Sequence, residues 1–163
     1  MKCALIGEKL GHSYSKLIHE AFGLYSYELV SLPRDRVGEF MENGDFDAFN
    51  VTIPYKRTVM PYCSYISPEA QKIGSVNTVI RTQDGLHGFN TDYFGFKSMA
   101  ARAGIDFAGK KVVILGSGGT SLTARAVAAD CGADRITVVS RSGEYNYENL
   151  EKLSDCEVLI NTT

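Results

Sequence analysis

The sequence predicts an α/β protein, with a mixed, partly parallel sheet in a first lobe and a parallel β-α-β unit in a second. Three observations predict it. Strand-like apolar runs alternate with helix-like segments along the whole chain, the pattern of α/β architectures. The β-type runs Val76–Arg81 and Leu86–Asn90 are joined through Gln83-Asp84-Gly85, and Asp-Gly between such runs reads as a tight antiparallel turn. The unbroken apolar run Lys111-Val112-Val113-Ile114-Leu115 enters a glycine turn and then a small-residue helix, which reads as a parallel strand covered on both faces.

Taken in order, Cys3–Gly7 reads as a strand, with a polar helix start near Ser13. Tyr27–Leu32 is a second strand, Val37–Asn43 a helix and Phe46–Ile53 a third strand. A helical stretch is expected after Pro54. Ser67-Pro68-Glu69 opens another helix, since proline is favoured at the first helical position. After the hairpin, the spacing of Phe94, Met99 and Ala103 fits a helix closed by Gly104 as C-cap. The pattern then changes character, so two domains are expected, residues 1–92 and 93–163. In the second, helix Ser121–Cys131 leads to strand Ile136–Ser140, then a short segment Tyr147–Leu153 and a third strand Glu157–Ile160.

The bulk numbers narrow the function classes. At 163 residues and 44% hydrophobic content, the chain can bury one sizeable core or two small ones. Seventeen basic against nineteen acidic residues, with no run of like charge, argue against a nucleic-acid partner. Four widely spaced cysteines without a C-x-x-C pair read as buried free thiols in a reducing cytoplasm. No leader pattern and no membrane-length apolar run are present, so a cytoplasmic protein without membrane contact is expected. His12 and His19 are seven residues apart with no third ligand at metal spacing, and no metal is assigned.

Gly116-Ser117-Gly118-Gly119 lies between a buried strand and a helix. Small residues there let backbone amides approach a pyrophosphate, whose charge the helix N-terminus favours. The lobe is therefore expected to be the first half of a Rossmann-like fold. The third glycine of G-x-G-x-x-G would fall at Ser121, a departure from the full pattern. At the end of the next strand, where an NAD site wants an acid for the ribose hydroxyls, the chain offers Ser140-Arg141-Ser142. Arg141 can pair with a 2′-phosphate, so NADP is the expected cofactor. Gly116, Ser117, Gly118, Gly119, Thr120, Arg141 and Thr162 are the candidate cofactor-binding residues.

Four polar patterns in the first lobe are hard to explain by folding alone. Ser13 and Ser15 open a helix just after the first strand; either could be a helix cap. In Asn50-Val51-Thr52-Ile53-Pro54-Tyr55-Lys56, a strand delivers Asn50 and Thr52 on one face and ends at a proline before a lysine. Gly74-Ser75-Val76-Asn77-Thr78 and Gly88-Phe89-Asn90-Thr91-Asp92 each set a glycine before an Asn-Thr pair. Turn chemistry alone could account for either of these last two.

Together the four resemble the shikimate dehydrogenase family, whose first lobe shows S-x-S, N-V-T-x-P-x-K, G-A-V-N-T and G-x-N-T-D in this order. With the glycine turn and the strand near the end, the resemblance runs over essentially the whole chain. Ser75 departs from the family's usual alanine. The resemblance implies that Ser13, Ser15, Asn50, Thr52, Lys56, Asn77 and Asp92 bind shikimate, with Lys56 and Asp92 as the catalytic pair. Oxidising a secondary alcohol needs a hydride acceptor and a group that takes the hydroxyl proton; Lys56 is the candidate for the second, provided its surroundings lower its pKa. Which of the pair finally holds the proton is open.

The resemblance also implies a longer protein, since the second half of the dinucleotide fold and a last helix returning to the first lobe are not in the sequence. A bared apolar face and sheet edge would favour self-association, so a homodimer is expected. The leading function is NADP-dependent interconversion of shikimate and 3-dehydroshikimate in chorismate and aromatic amino-acid biosynthesis. The alternatives are a shikimate-binding fragment without turnover, and a quinate/shikimate dehydrogenase using NAD.

Overall fold

The computed structural model describes residues 1–11 and 13–163; His12, inside the Gly7–Ser15 segment, lies outside them. The chain divides into two compact units, Met1–Thr91 and Asp92–Thr163.

The first unit holds β1 (Lys2–Gly7), α1 (Ser15–Ala21), β2 (Ser26–Ser31), α2 (Val37–Asn43), β3 (Ala48–Val51), β4 (Cys63–Ile66), α3 (Pro68–Ile73), β5 (Thr78–Thr82) and β6 (Gly85–Phe89). The strands form one mixed sheet in the order β2-β1-β3-β5-β6-β4. β1 runs parallel to β2 and β3, and β5 runs antiparallel to β3 and β6. One sheet face carries Ala4, Ile6, Phe49, Val51 and Val79, buried against Val37 and Met41 of α2 and against Val59 and Val76. The other face carries Cys3, Leu5 and Tyr27 with Leu10. This alternation is what a period-two strand pattern imposes.

Local chemistry sets the ends of α3. The Ser67 hydroxyl accepts the Ala70 N–H at 3.3 Å, Pro68 occupies the first turn, and Gly74 closes the helix in the left-handed region at φ 69°. In the hairpin, Thr82 pairs with Gly85, so the loop is Gln83-Asp84 alone.

Two expectations fail here. The segment after Pro54 is a series of turns ending in a short 3-10 turn, Met60–Tyr62, and not a helix. Pro61 contributes to this, because it supplies no N–H and so cannot continue an α-helical ladder. Cys63–Ile66, where no strand was expected, is an edge strand paired with β6 through an irregular register. Of the four cysteines only Cys3 is buried; all four are free thiols.

The second unit holds α4 (Thr91–Arg102, its first residue belonging to the preceding unit), β7 (Lys111–Leu115), α5 (Gly119–Asp130), β8 (Arg135–Val139) and β9 (Val158–Asn161). Its sheet is all parallel, in the order β8-β7-β9. β7 is buried at Val112, Val113 and Ile114, whereas β8 is fully buried only at Val139 and β9 leaves Leu159 exposed. The small residues Ala124, Ala126 and Ala128 are buried with Val127 along α5, as close helix-on-sheet packing requires. Among the described residues, no helix is long and apolar enough to cross a membrane.

Candidate active site

Asn77, buried and next to the start of β5, is where the polar segments of the first unit converge. Its main-chain N–H donates to Phe89 O at 3.0 Å and its carbonyl accepts from Val51 N at 2.8 Å. Its side-chain Oδ1 accepts the Thr91 N–H at 2.9 Å and lies 3.2 Å from Thr91 Oγ1 and 3.0 Å from Thr78 Oγ1. The neighbouring Asn90 donates through Nδ2 to Ser75 O at 2.8 Å. Gly88 makes this approach feasible: a Cβ there would fall 2.9 Å from Val76 Cγ2 and 3.1 Å from Cys63 Sγ.

Asn50 stands opposite Thr78 in the β3–β5 pairing. Its Nδ2 donates to Thr78 Oγ1 at 3.1 Å and reaches Asn77 O at 3.5 Å, while its Oδ1 accepts from Tyr27 Oη at 2.7 Å. Burial pushes the Tyr27 phenol well above its ordinary pKa, helped by Tyr25 and Cys3 and opposed by a hydrogen bond from Ser15. Tyr27 therefore keeps its proton, which it donates to Asn50 Oδ1. Its ring stacks on His19 with centroids 4.0 Å apart, and His19 Nδ1 lies 2.6 Å from Tyr25 Oη.

The remaining candidates stand at separate places along the chain. The Ser13 hydroxyl accepts the Ser15 N–H at 3.2 Å just before α1, so Ser13 shapes the helix entry. Thr52 lies beyond the end of β3, its N–H bonded to Ile6 O at 2.9 Å. The Lys56 carbonyl accepts from Val76 N at 2.8 Å, which fixes its backbone one residue from Asn77; its side chain is half-buried. Asp92 follows Thr91 in the first turn of α4 and is exposed. A cavity of about 600 Å³ opens on the β1–β3–β5 face beside these segments. Of the expected substrate-binding residues only Asn50 lines it, with Tyr27, His19, Thr78 and Ile80, none of them expected to bind substrate. Nothing in a strand-like Tyr27 or in His19, between Ile18 and Glu20, signals a substrate site until the sheet brings β2 alongside β1.

In the second unit a cleft of about 560 Å³ lies over the carboxyl ends of β7, β8 and β9. It is lined by Gly116, Ser117, Gly118, Arg141 and Thr162 of the expected cofactor residues; Gly119 and Thr120 are exposed in the first turn of α5 but do not line it. Gly118 caps α5 without a side-chain bond, and a Cβ at Gly118 or Gly119 would meet no protein atom within 4 Å, so the helix N-terminus faces open space. Gly116 is different: φ is 98°, where L side chains are strained. Ser121, in place of a third glycine, is buried with its hydroxyl donating to Gly118 O at 2.7 Å. A small side chain that satisfies its own polar group keeps the turn tight. The Thr162 hydroxyl donates to Leu115 O at 2.7 Å, which commits its hydrogen to bracing the turn. Tyr147 also lines the cleft, exposed and with a ring suited to stacking. This donor set, with one arginine and a glycine cradle, fits a dinucleotide phosphate.

A family model described as the shikimate dehydrogenase substrate binding domain matches residues 5–79. A relative from Clostridium perfringens (strain SM101 / Type A), named shikimate dehydrogenase (NADP(+)), is 37% identical over 98% of this chain and 66% of its own length. Shikimate dehydrogenase 1 from Peptoclostridium difficile superposes with a TM-score of 0.88 at 35% identity, over 99% of this chain and 67% of that one. The chain belongs to the shikimate dehydrogenase family. A family structure from Thermus thermophilus, in complex with NADP(H) and shikimate, matches with a TM-score of 0.86 at 30% identity, over 100% of this chain and 68% of that one. This chain thus spans about two thirds of its relatives' length.

Proposed function

We propose that the chain carries the substrate site and the first cofactor-binding elements of an NADP-dependent shikimate dehydrogenase, which interconverts shikimate and 3-dehydroshikimate in aromatic amino-acid biosynthesis. The observation that carries the reading is the convergence on Asn77 of three family-type polar segments, with Asn50, Val51, Thr78, Phe89 and Thr91 all bonded to it. A polar cluster of this kind, built around a buried amide, suits a ligand with several hydroxyls and a carboxylate. Residues 1–92 are assigned to shikimate and 93–163 to the cofactor.

In this reading Ser13, Ser15, Asn50, Thr52 and Asn77 hold the substrate's hydroxyl and carboxylate groups. Lys56 takes the proton of the reacting hydroxyl, and Asp92 orients that hydroxyl and the amine. Gly116, Ser117, Gly118, Gly119 and Thr120 receive the pyrophosphate, Thr162 braces their turn, and Arg141 receives the 2′-phosphate. NADP, when bound, supplies the hydride acceptor.

The homologues' cofactor names and the absence of an acid at the end of β8 both favour NADP over NAD. Four free thiols support a reducing, cytoplasmic setting. The exposed Leu159 on edge strand β9 supports a homodimer; a monomeric mass by sedimentation velocity rules it out.

The test is absorbance at the reduced-nicotinamide band with shikimate and NADP supplied. Reduction of NADP with shikimate, slower with quinate and with NAD, is the expected result. Shikimate binding by calorimetry without reduction makes the chain a binding module, and no binding overturns the reading.

A further inference from the structure

A primary amide is nearly symmetric in shape, and its oxygen and nitrogen differ mainly in hydrogen-bond polarity. An asparagine that must show a ligand one end and not the other therefore needs partners of fixed polarity. Two main-chain groups supply them here. The Thr91 N–H can only donate, so the Asn77 atom 2.9 Å from it is the oxygen. The Asn77 carbonyl can only accept, so the Asn50 atom 3.5 Å from it is the nitrogen.

The Thr78 hydroxyl stands between the two amides, 3.0 Å from Asn77 Oδ1 and 3.1 Å from Asn50 Nδ2. It has one hydrogen. Given to Asn77 Oδ1, that hydrogen leaves the hydroxyl lone pairs for Asn50 Nδ2, and Asn50 Oδ1 is left to accept from Tyr27 Oη at 2.7 Å. Every link has a definite direction, from Tyr27 through Asn50 and Thr78 to Asn77. With its Oδ1 facing Thr78 and Thr91, Asn77 turns Nδ2 the other way.

We infer that Thr78 is a positioning residue: its hydroxyl links the two asparagine amides and holds both in the orientation that the main-chain groups select, so that Asn77 offers a donor, and not an acceptor, to the carboxylate or hydroxyl oxygens of the substrate. The inference deepens the functional reading above and rests on it for the identity of the ligand. Valine at this position would keep the β-branched shape suited to a strand while removing both bonds. The Asn77 side-chain oxygen would then keep only its bonds from Thr91, and Asn50 would keep Tyr27 and the long 3.5 Å contact to the Asn77 carbonyl but lose its shorter Nδ2 bond.

The test uses the whole chain, labelled with nitrogen-15. The side-chain amide resonances of Asn50 and Asn77 are followed by NMR, and shikimate and NADP binding by calorimetry. Thr78→Val is expected to move both amide pairs, to weaken shikimate binding about tenfold, the order expected for a lost buried hydrogen bond, and to leave NADP binding unchanged. Thr78→Ser is expected to restore both amide positions and affinity, which a purely packing role for the threonine methyl would not allow. Tyr27→Phe is expected to move the Asn50 pair before the Asn77 pair, and it serves where Thr78→Val does not fold. Amide pairs of Thr78→Val at wild-type positions, wild-type shikimate affinity in that variant, or an Asn50 pair unmoved in Tyr27→Phe would each overturn the inference. Failure of the wild-type chain to bind shikimate would instead sink the functional reading, and the amide resonances would still decide the role of Thr78.

Discussion

Gly116 and Thr162 touch across the end of the parallel sheet: a Cβ on Gly116 would lie 3.0 Å from Thr162 Oγ1 and 3.3 Å from the Thr162 carbonyl oxygen. The same glycine has φ 98°, so an alanine there meets both a steric contact and left-handed backbone. Gly116→Ala should destabilise the chain by roughly 1–2 kcal/mol, lowering the thermal midpoint by a few degrees, and should weaken NADP binding because the turn moves. Thermal unfolding followed by circular dichroism reads the first effect; an unchanged midpoint would show that the turn has slack.

Arg141 is exposed at the end of β8 and lines the cleft with Tyr147. An exposed guanidinium contributes little to folding, so its removal should act on the ligand. Arg141→Ala is expected to weaken NADP binding far more than NAD binding, since only NADP carries the extra phosphate. Equal losses for both cofactors, measured by fluorescence titration, would contradict the assignment.

What was legible in the sequence was the chemistry that acts over a few residues. Ser67-Pro68 at the start of α3 and Gly74 at its end are read from neighbours along the chain, and the structure shows the bonds they make. The Asp84-Gly85 pair marked the hairpin for the same reason, although the structure closes it at Thr82–Gly85. Edge strand β4 was illegible because its four residues, between Pro61 and Pro68, have no alternation and depend on β6 for their backbone bonds. At the site, glycine-asparagine-threonine patterns drew attention to Asn77, and the polar alternation along β3 to Asn50. The direction of the bonds around Thr78, and the part played by Tyr27, depend on pairings between strands far apart in sequence.

Lys56 is anchored through its carbonyl to Val76, beside Asn77. A group that acts on the substrate proton mainly in the transition state contributes to turnover more than to ground-state binding. Lys56→Ala in an active form of the enzyme should therefore lower kcat by about 100-fold or more, the range of general acid–base catalysis, with little change in shikimate affinity. Equal kcat in variant and wild type would remove Lys56 from the mechanism; a large rise in KM alone would recast it as a binding residue.

His19 gives a prediction in pH. Burial between Tyr25 and Tyr27 lowers its pKa below the ordinary 6.5, the value it regains in the unfolded chain. Below pH 6.5 the unfolded state therefore binds a proton that the folded state resists, so the stability contributed by neutral His19 is present above that pH and declines as pH falls towards the folded value. The ion-paired carboxylates Asp155 and Glu157 have their pKa values lowered from 3.8 and 4.5 and act in a more acidic window. Urea unfolding between about pH 7.5 and 5 should thus show a falling midpoint, and His19→Phe, which keeps a flat ring against Tyr27 but cannot titrate, should flatten that fall. An identical slope in the variant would place the proton elsewhere. The same protonation would add a charge beside the phenol that orients Asn50, so shikimate affinity is expected to weaken along the same pH range in the wild-type chain and not in His19→Phe.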